Sequence, residues 1–128
     1  MSLPVTSLLA GLFTLMMVPL SLQVSARRFK TGIAHISGEH DETLRRRIRA
    51  HGNFTEYAPT ALIALGLIEY AGAATLLVRS LAAAFFLSRL LHALGMLYTA
   101  GPALRGTAML VQHAAFLVSG VWLVANAS

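Results

Sequence analysis

Apolar stretches long enough to cross a bilayer follow one another through almost the whole 128-residue chain, and that repetition leaves little choice of fold. The first runs from Leu3 to Ala26, interrupted only by Pro4, Thr6, Ser7, Pro19 and a few other small or polar residues. From Tyr57 to Tyr70 the sequence is again apolar apart from Thr60 and Glu69, a third run reaches Thr99, and a fourth occupies Thr107 to Ala125 with Trp122 near its far end. Four spans of about 20 residues and short connections use nearly every position, so one domain fits and no second one. The composition agrees, since 56% of residues are hydrophobic and only 12% charged, outside the range of ordinary soluble domains. The expected fold is an all-α integral membrane protein, a four-transmembrane-helix bundle with helices at about 3–26, 42–71, 74–99 and 106–126. Val24-Ser25-Ala26 resembles a signal cleavage site, but a positive segment ahead of the apolar run is missing, so a retained span is the preferred reading.

Charge fixes the orientation. The stretch Arg27 to Arg49 holds Arg27, Arg28, Lys30, Arg45, Arg46, Arg47 and Arg49 against Glu39, Asp41 and Glu42, and by the positive-inside rule it lies in the cytoplasm with both termini outside. The net charge of +5 does not indicate nucleic acid, because the cations are embedded in an otherwise apolar chain and Phe29 is the one Phe, Tyr or Trp that interleaves with those of residues 27–49. Gly32, Ser37 and Gly38 mark the pliant part of the loop, and Asp41 is placed to cap a helix that starts near Glu42 in water and runs into lipid. Gly72 is the preferred turn between the second and third helices, with Arg79-Ser80 as the alternative, and Gly101-Pro102 breaks the chain before the fourth. Cysteine is absent, so any sulfur chemistry must arrive with a ligand.

The polar residues concentrate where the second helix enters the membrane. Arg49, Asn53 and Glu56 stand four and three apart, which stacks them on one helical face with Tyr57 beside them. A cation, an amide, a carboxylate and a phenol are costly against lipid, so this face should look into the bundle or a polar cavity. Pro59 either bends the helix there or is a tolerated membrane proline. Arg89 and His92 sit three apart on the third helix, far from either loop. Glu56 lies sixteen positions before Gly72 and Arg89 seventeen after, so the two reach similar depth and an ion pair is expected, whether for function or only to hold two helices together. Arg105 opens the fourth helix and, taken alone, is an ordinary cytoplasmic anchor, as are Arg27 and Arg28. Glu69 is expected near the outer surface, within reach of Arg79. His113, beside Gln112, reads as a hydrogen-bonded core or lipid-edge residue, and His35, His40 and His51 lack metal-site spacing, so no metal is expected.

Arg49-Ala50-His51, Asn53 and Glu56-Tyr57-Ala58-Pro59 together resemble the second-helix signature of the MAPEG family, the membrane-associated proteins in eicosanoid and glutathione metabolism. Ser25-Ala26-Arg27-Arg28, Arg89-Leu90-Leu91-His92 and Arg105 recur in matching order, so the resemblance covers most of the chain. It implies a homotrimer of four-helix subunits, with glutathione as co-substrate bound between neighbouring subunits near the cytoplasmic face, while the short loops point to a bacterial inner membrane, with the endoplasmic reticulum as the alternative. By the same resemblance Arg28, Arg49, Asn53, Glu56, Tyr57, Arg89 and His92 contact glutathione, and Arg105 is the catalytic residue that stabilises its thiolate. The implied activity is that of a glutathione transferase or peroxidase acting on lipophilic electrophiles or lipid hydroperoxides drawn from membrane lipid. Met96 stands where active relatives tend to have tyrosine, and Gly106 where one branch has serine. A noncatalytic trimeric binding or scaffold protein of the same fold is therefore the alternative. A small four-helix efflux transporter is a further rival, supported only by the intramembrane Arg89.

Overall fold

In the computed structural model, which describes residues 2–34, 38, 40–98 and 101–127, the chain forms four helices: α1 (Pro4–Thr31), α2 (Glu42–Tyr70), α3 (Thr75–Tyr98) and α4 (Ala103–Ala125). Helix α1 runs five residues beyond the expected end at Ala26, carrying Arg27, Arg28 and Lys30 on its last turns, and stops where Gly32 turns left-handed at φ 68°. Asp41 caps α2 as anticipated, its carboxylate accepting from the Leu44 N–H at 2.8 Å. The turn between α2 and α3 is at Gly72, at φ 78°, and Arg79 lies inside α3, which rules out the alternative turn. Pro102 ushers in α4 three residues earlier than expected, at Ala103. The expected third-helix end at Thr99 and the loop residues His35, Ser37 and Glu39 fall outside the described residues.

Among the described residues three helices, α1, α3 and α4, are long and apolar enough to cross a membrane, where four apolar spans were expected. Helix α2 falls short because Arg45, Arg46, Arg47 and Arg49 fill its opening turns, so only its second half is greasy. Packing nevertheless makes it central. Helices α2 and α3 each touch all the other helices, whereas α1 and α4 touch them but not each other, so the four axes form a lozenge with the α2–α3 pair as its short diagonal. Small side chains allow the close approach, with Ala50, Ala58 and Ala61 of α2, Ala93 of α3 and Ala108 and Ala115 of α4 all buried. Aromatic rings fill the wider gaps: Phe13 meets Phe54 edge-on at 5.3 Å, and Phe85 meets Phe116 at the same separation. The outward faces carry exposed Leu15, Leu22, Leu110, Leu117 and Val124, as lipid requires.

Polar ties fasten α1 to α2 at both ends. At the basic end Arg27 pairs with Asp41 at 2.9 Å, and Arg47 donates to the Gln23 carbonyl at 2.8 Å. At the other end Glu69 does not pair with Arg79. Its two carboxylate oxygens instead accept from the backbone N–H groups of Val5 (2.9 Å) and Thr6 (2.7 Å), the unpaired donors of the first turn of α1. A helix start needs such acceptors, and α1 has no side-chain cap of its own. Glu69→Gln leaves one good acceptor and removes the charge, which should cost about 1–2 kcal/mol, read as a lower melting temperature and faster amide exchange at residues 5–8.

The basic-end tie is pH-dependent. The Leu44 N–H and then the Arg27 guanidinium hold the Asp41 carboxyl below its ordinary value. A carboxyl lowered on folding stabilises fully above its unfolded pKa, about 3.9, and ceases to do so as pH falls through the lower folded value. Amide exchange in the first turn of α2, taken relative to the rate of an unfolded chain at the same pH, should therefore be flat from neutral pH to about 5 and rise below about 4. Asp41→Asn should abolish that rise.

Candidate functional site

The candidate residues divide between two places. Asn53 is buried and turned toward α3, where its Oδ1 accepts a short hydrogen bond from Nη1 of the buried Arg89. The Arg89 guanidinium lies over the Tyr57 ring, 4.8 Å from its centre, and Nη2 meets the Met109 sulfur at 3.5 Å. Tyr57 in turn stacks on Phe116 at 6.0 Å and meets His113 edge-on at 5.9 Å. One turn of α3 nearer the basic end, His92 is also buried. Asn53, Tyr57, Arg89 and His92 thus form a compact polar core among α2, α3 and α4.

Glu56 does not join it. The expected Glu56–Arg89 ion pair is absent: Glu56 is exposed, and the oxygen on Arg89 is supplied by Asn53. The reason is angular. At 3.6 residues per turn Glu56, Arg49, Asn53 and Tyr57 fan across roughly 100° of the circumference of α2, and the buried face begins at the Tyr57 edge of that fan. Tyr57 and Asn53 therefore turn inward, while Arg49 and Glu56 face out.

Arg49 instead lines a cleft of about 230 Å³ at the basic end, together with Glu42, Arg45, Arg46, Met96 and Arg105. Glu42 is tied to Arg46 at 2.7 Å, which lowers its carboxyl pKa, first through that hydrogen bond and then through the charge of the same guanidinium. Arg105 reaches the cleft from the start of α4, with Nη1 3.4 Å from the Met96 sulfur. It can do so because residue 95 is glycine. A Cβ there would sit 2.8 Å from Arg105 Cγ and 3.3 Å from its backbone nitrogen, and would push the first turn of α4 away. Arg28 stands apart on α1, where it donates to the Ala34 carbonyl.

The sequence reading missed the α4 side of the polar core. Met109 touches both Arg89 and Asn53, and the buried Gln112 accepts from Ser88. Residues 105, 109, 112 and 113 follow helical spacing from Arg105, which was the available signal. His113 is exposed, with Nδ1 2.7 Å from the Met109 carbonyl.

Chemically, the cleft gathers four guanidinium groups around one carboxylate, and the hydrogen-bonded polar core of the bundle carries a fifth guanidinium, Arg89. Such a site suits a small anion with several acidic groups. The family model for MAPEG, "MAPEG family", matches residues 6–125, nearly the entire chain. Among curated proteins, "Inner membrane protein YecN" of Escherichia coli (strain K12) is 33% identical over 91 residues, which is 71% of this chain and 69% of that one. The protein of the same name from Escherichia coli O6:H1 matches equally. No solved structure matches the chain.

Proposed function

The chain belongs to the MAPEG family, membrane proteins whose members include glutathione-dependent transferases and peroxidases, and on that premise we propose that it binds glutathione and uses the thiolate against lipophilic electrophiles or hydroperoxides. One observation carries the reading: Arg45, Arg46 and Arg49 of α2 converge with Arg105 of α4 on a single cleft at the basic end. Glutathione brings two carboxylates, an ammonium group and a thiol. Arg49 takes a carboxylate with Arg28 in support, Glu56 takes the ammonium, and the Asn53, Tyr57, Arg89 and His92 core fixes the floor. Arg105 faces the sulfur.

A free thiol with pKa near about 8.5 is mostly protonated at neutral pH, and an adjacent guanidinium favours the thiolate without taking a proton. In transfer, the thiolate attacks an electrophilic carbon, the carbon–sulfur bond forms and the leaving group departs with its electron pair. In peroxide reduction it attacks the terminal oxygen of the hydroperoxide, the O–O bond breaks, the alkoxide takes a proton from water and leaves as an alcohol, and a second glutathione converts the sulfenic acid to disulfide and water. Either co-substrate is lipophilic and arrives from the bilayer.

The cleft within one chain, about 230 Å³, is smaller than the roughly 300–1,000 Å³ usual for small-molecule sites. Glu56 moreover faces outward at membrane depth, where a bare carboxylate is costly. Both facts favour an assembly in which a neighbouring copy completes the site, and the family resemblance makes a homotrimer the assembly we propose. The positive-inside rule and the name of the relative favour an inner membrane, crossed by all four helices, with the basic end cytoplasmic and both termini outside.

Calorimetric titration of the purified protein with glutathione, beside turnover of a chlorinated aromatic electrophile, tests the reading. Saturable binding and glutathione-dependent product are expected, and absence of binding ends it. Met96 supports a second reading, a binding or scaffold protein without turnover, because a thioether and not a phenol contacts Arg105. Binding with no turnover on either co-substrate class would decide for it.

A further inference from the structure

We propose that the groove between α1 and α3, at the end of the bundle opposite the basic loop, holds an acyl chain of an anionic phospholipid whose phosphate rests on Arg79. The groove has a volume of about 540 Å³ and is lined by Val5, Leu8 and Leu12 from α1 and Ala83 and Phe86 from α3, with Arg79 as its one charged group. From Arg79 to Phe86 it runs seven residues along α3, about 10 Å, most of the depth of one leaflet in a hydrocarbon core about 30 Å thick. An apolar slot of that length with a cation at its outer mouth has the polarity of a lipid with a negative head.

The charge inventory makes Arg79 unusual. Of the ten Lys and Arg residues, eight lie at the basic end and Arg89 is buried, which leaves Arg79 as the one Lys or Arg among the described residues at the other end. Positive-inside bias disfavours a cation there unless something holds it. Glu69, the one acidic residue nearby, is committed to the first turn of α1. Arg79 itself is exposed and makes no hydrogen bond or ion pair among the described residues. A guanidinium suits a phosphate because it presents paired donors and is weakly hydrated. The site is independent of the glutathione reading, which concerns the opposite end.

Because the chain lacks cysteine, Leu8→Cys gives a single attachment point for a bimane fluorophore on the rim of the groove. The labelled full-length protein is reconstituted in phosphatidylcholine vesicles containing equal small fractions of either brominated phosphatidylglycerol or brominated phosphatidylcholine. The anionic lipid should quench several-fold more strongly. Arg79→Gln should erase that preference, Arg79→Lys should retain part of it, and Ala83→Phe should reduce quenching by both lipids. Equal quenching by the two lipids in the parent overturns the proposal. So does protection from both, which would mean that a second copy of the chain covers the groove.

Discussion

Replacing Arg105 with alanine should lower glutathione-dependent turnover by about 10²–10³-fold, the usual loss when one donor to a developing or stabilised anion is removed. Binding measured by calorimetry should fall far less, because Arg45, Arg46 and Arg49 remain in the cleft. The pH profile separates a direct role from a structural one. On the proposed role the guanidinium makes the bound thiol ionise below its ordinary range, so activity should reach its plateau at lower pH. In Arg105→Ala the rise should move up toward about 8.5, the value of an unassisted thiol. Arg105→Lys, which keeps the charge but loses the planar fork, should fall between the two. Equal loss of binding and turnover with an unmoved profile would reduce Arg105 to an anchor of α4.

The largest effect on stability is expected from Asn53, and it has an instructive asymmetry. Asn53→Leu removes the oxygen on a buried guanidinium and leaves Arg89 with the Tyr57 ring and the Met109 sulfur. Removing the oxygen from a buried charged donor costs about 2–3 kcal/mol, because the guanidinium stays desolvated without its acceptor. For a chain of this size that corresponds to a fall in melting temperature on the order of 10 °C in detergent. Arg89→Met removes the charge itself and should cost much less, and the double variant should be more stable than Asn53→Leu alone. Thermal melts of the three proteins, followed by circular dichroism, give the comparison. A double variant no more stable than Asn53→Leu would show that the charge on Arg89 is not what makes Asn53 necessary.

Features that depend on local chemistry were legible in the sequence. Asp41 caps α2 because a carboxylate can reach an N–H three residues on, and Gly72 turns because a left-handed residue is needed between two helices. Depth was legible too: counting outward from Gly72 puts Glu56 and Arg89 at similar levels. Rotation was not. Which side of α2 faces α3 is set by Ala50, Phe54, Ala58 and Ala61 packing inward, and that rotation sends Glu56 out and brings Asn53 to Arg89. Glu69 escaped for a different reason, since its partners are backbone N–H groups that carry no side-chain signature. The approach of Arg105 to Met96 likewise depends on Gly95 having no side chain, which spacing alone does not reveal.

The helix least suited to entering lipid alone is the one that every other helix touches. Arg45, Arg46, Arg47 and Arg49 occupy the opening turns of α2 and leave it a shorter apolar stretch than α1, α3 or α4, while α3 carries Arg89 near its own middle, so neither partner of the α2–α3 pair is well suited to lipid alone. During synthesis α2 must therefore be carried in by company. The short Gly72 turn makes α3 its natural escort, so the two should leave the translocon as a hairpin, and lengthening that turn should raise the fraction of chains whose second segment stays outside the bilayer.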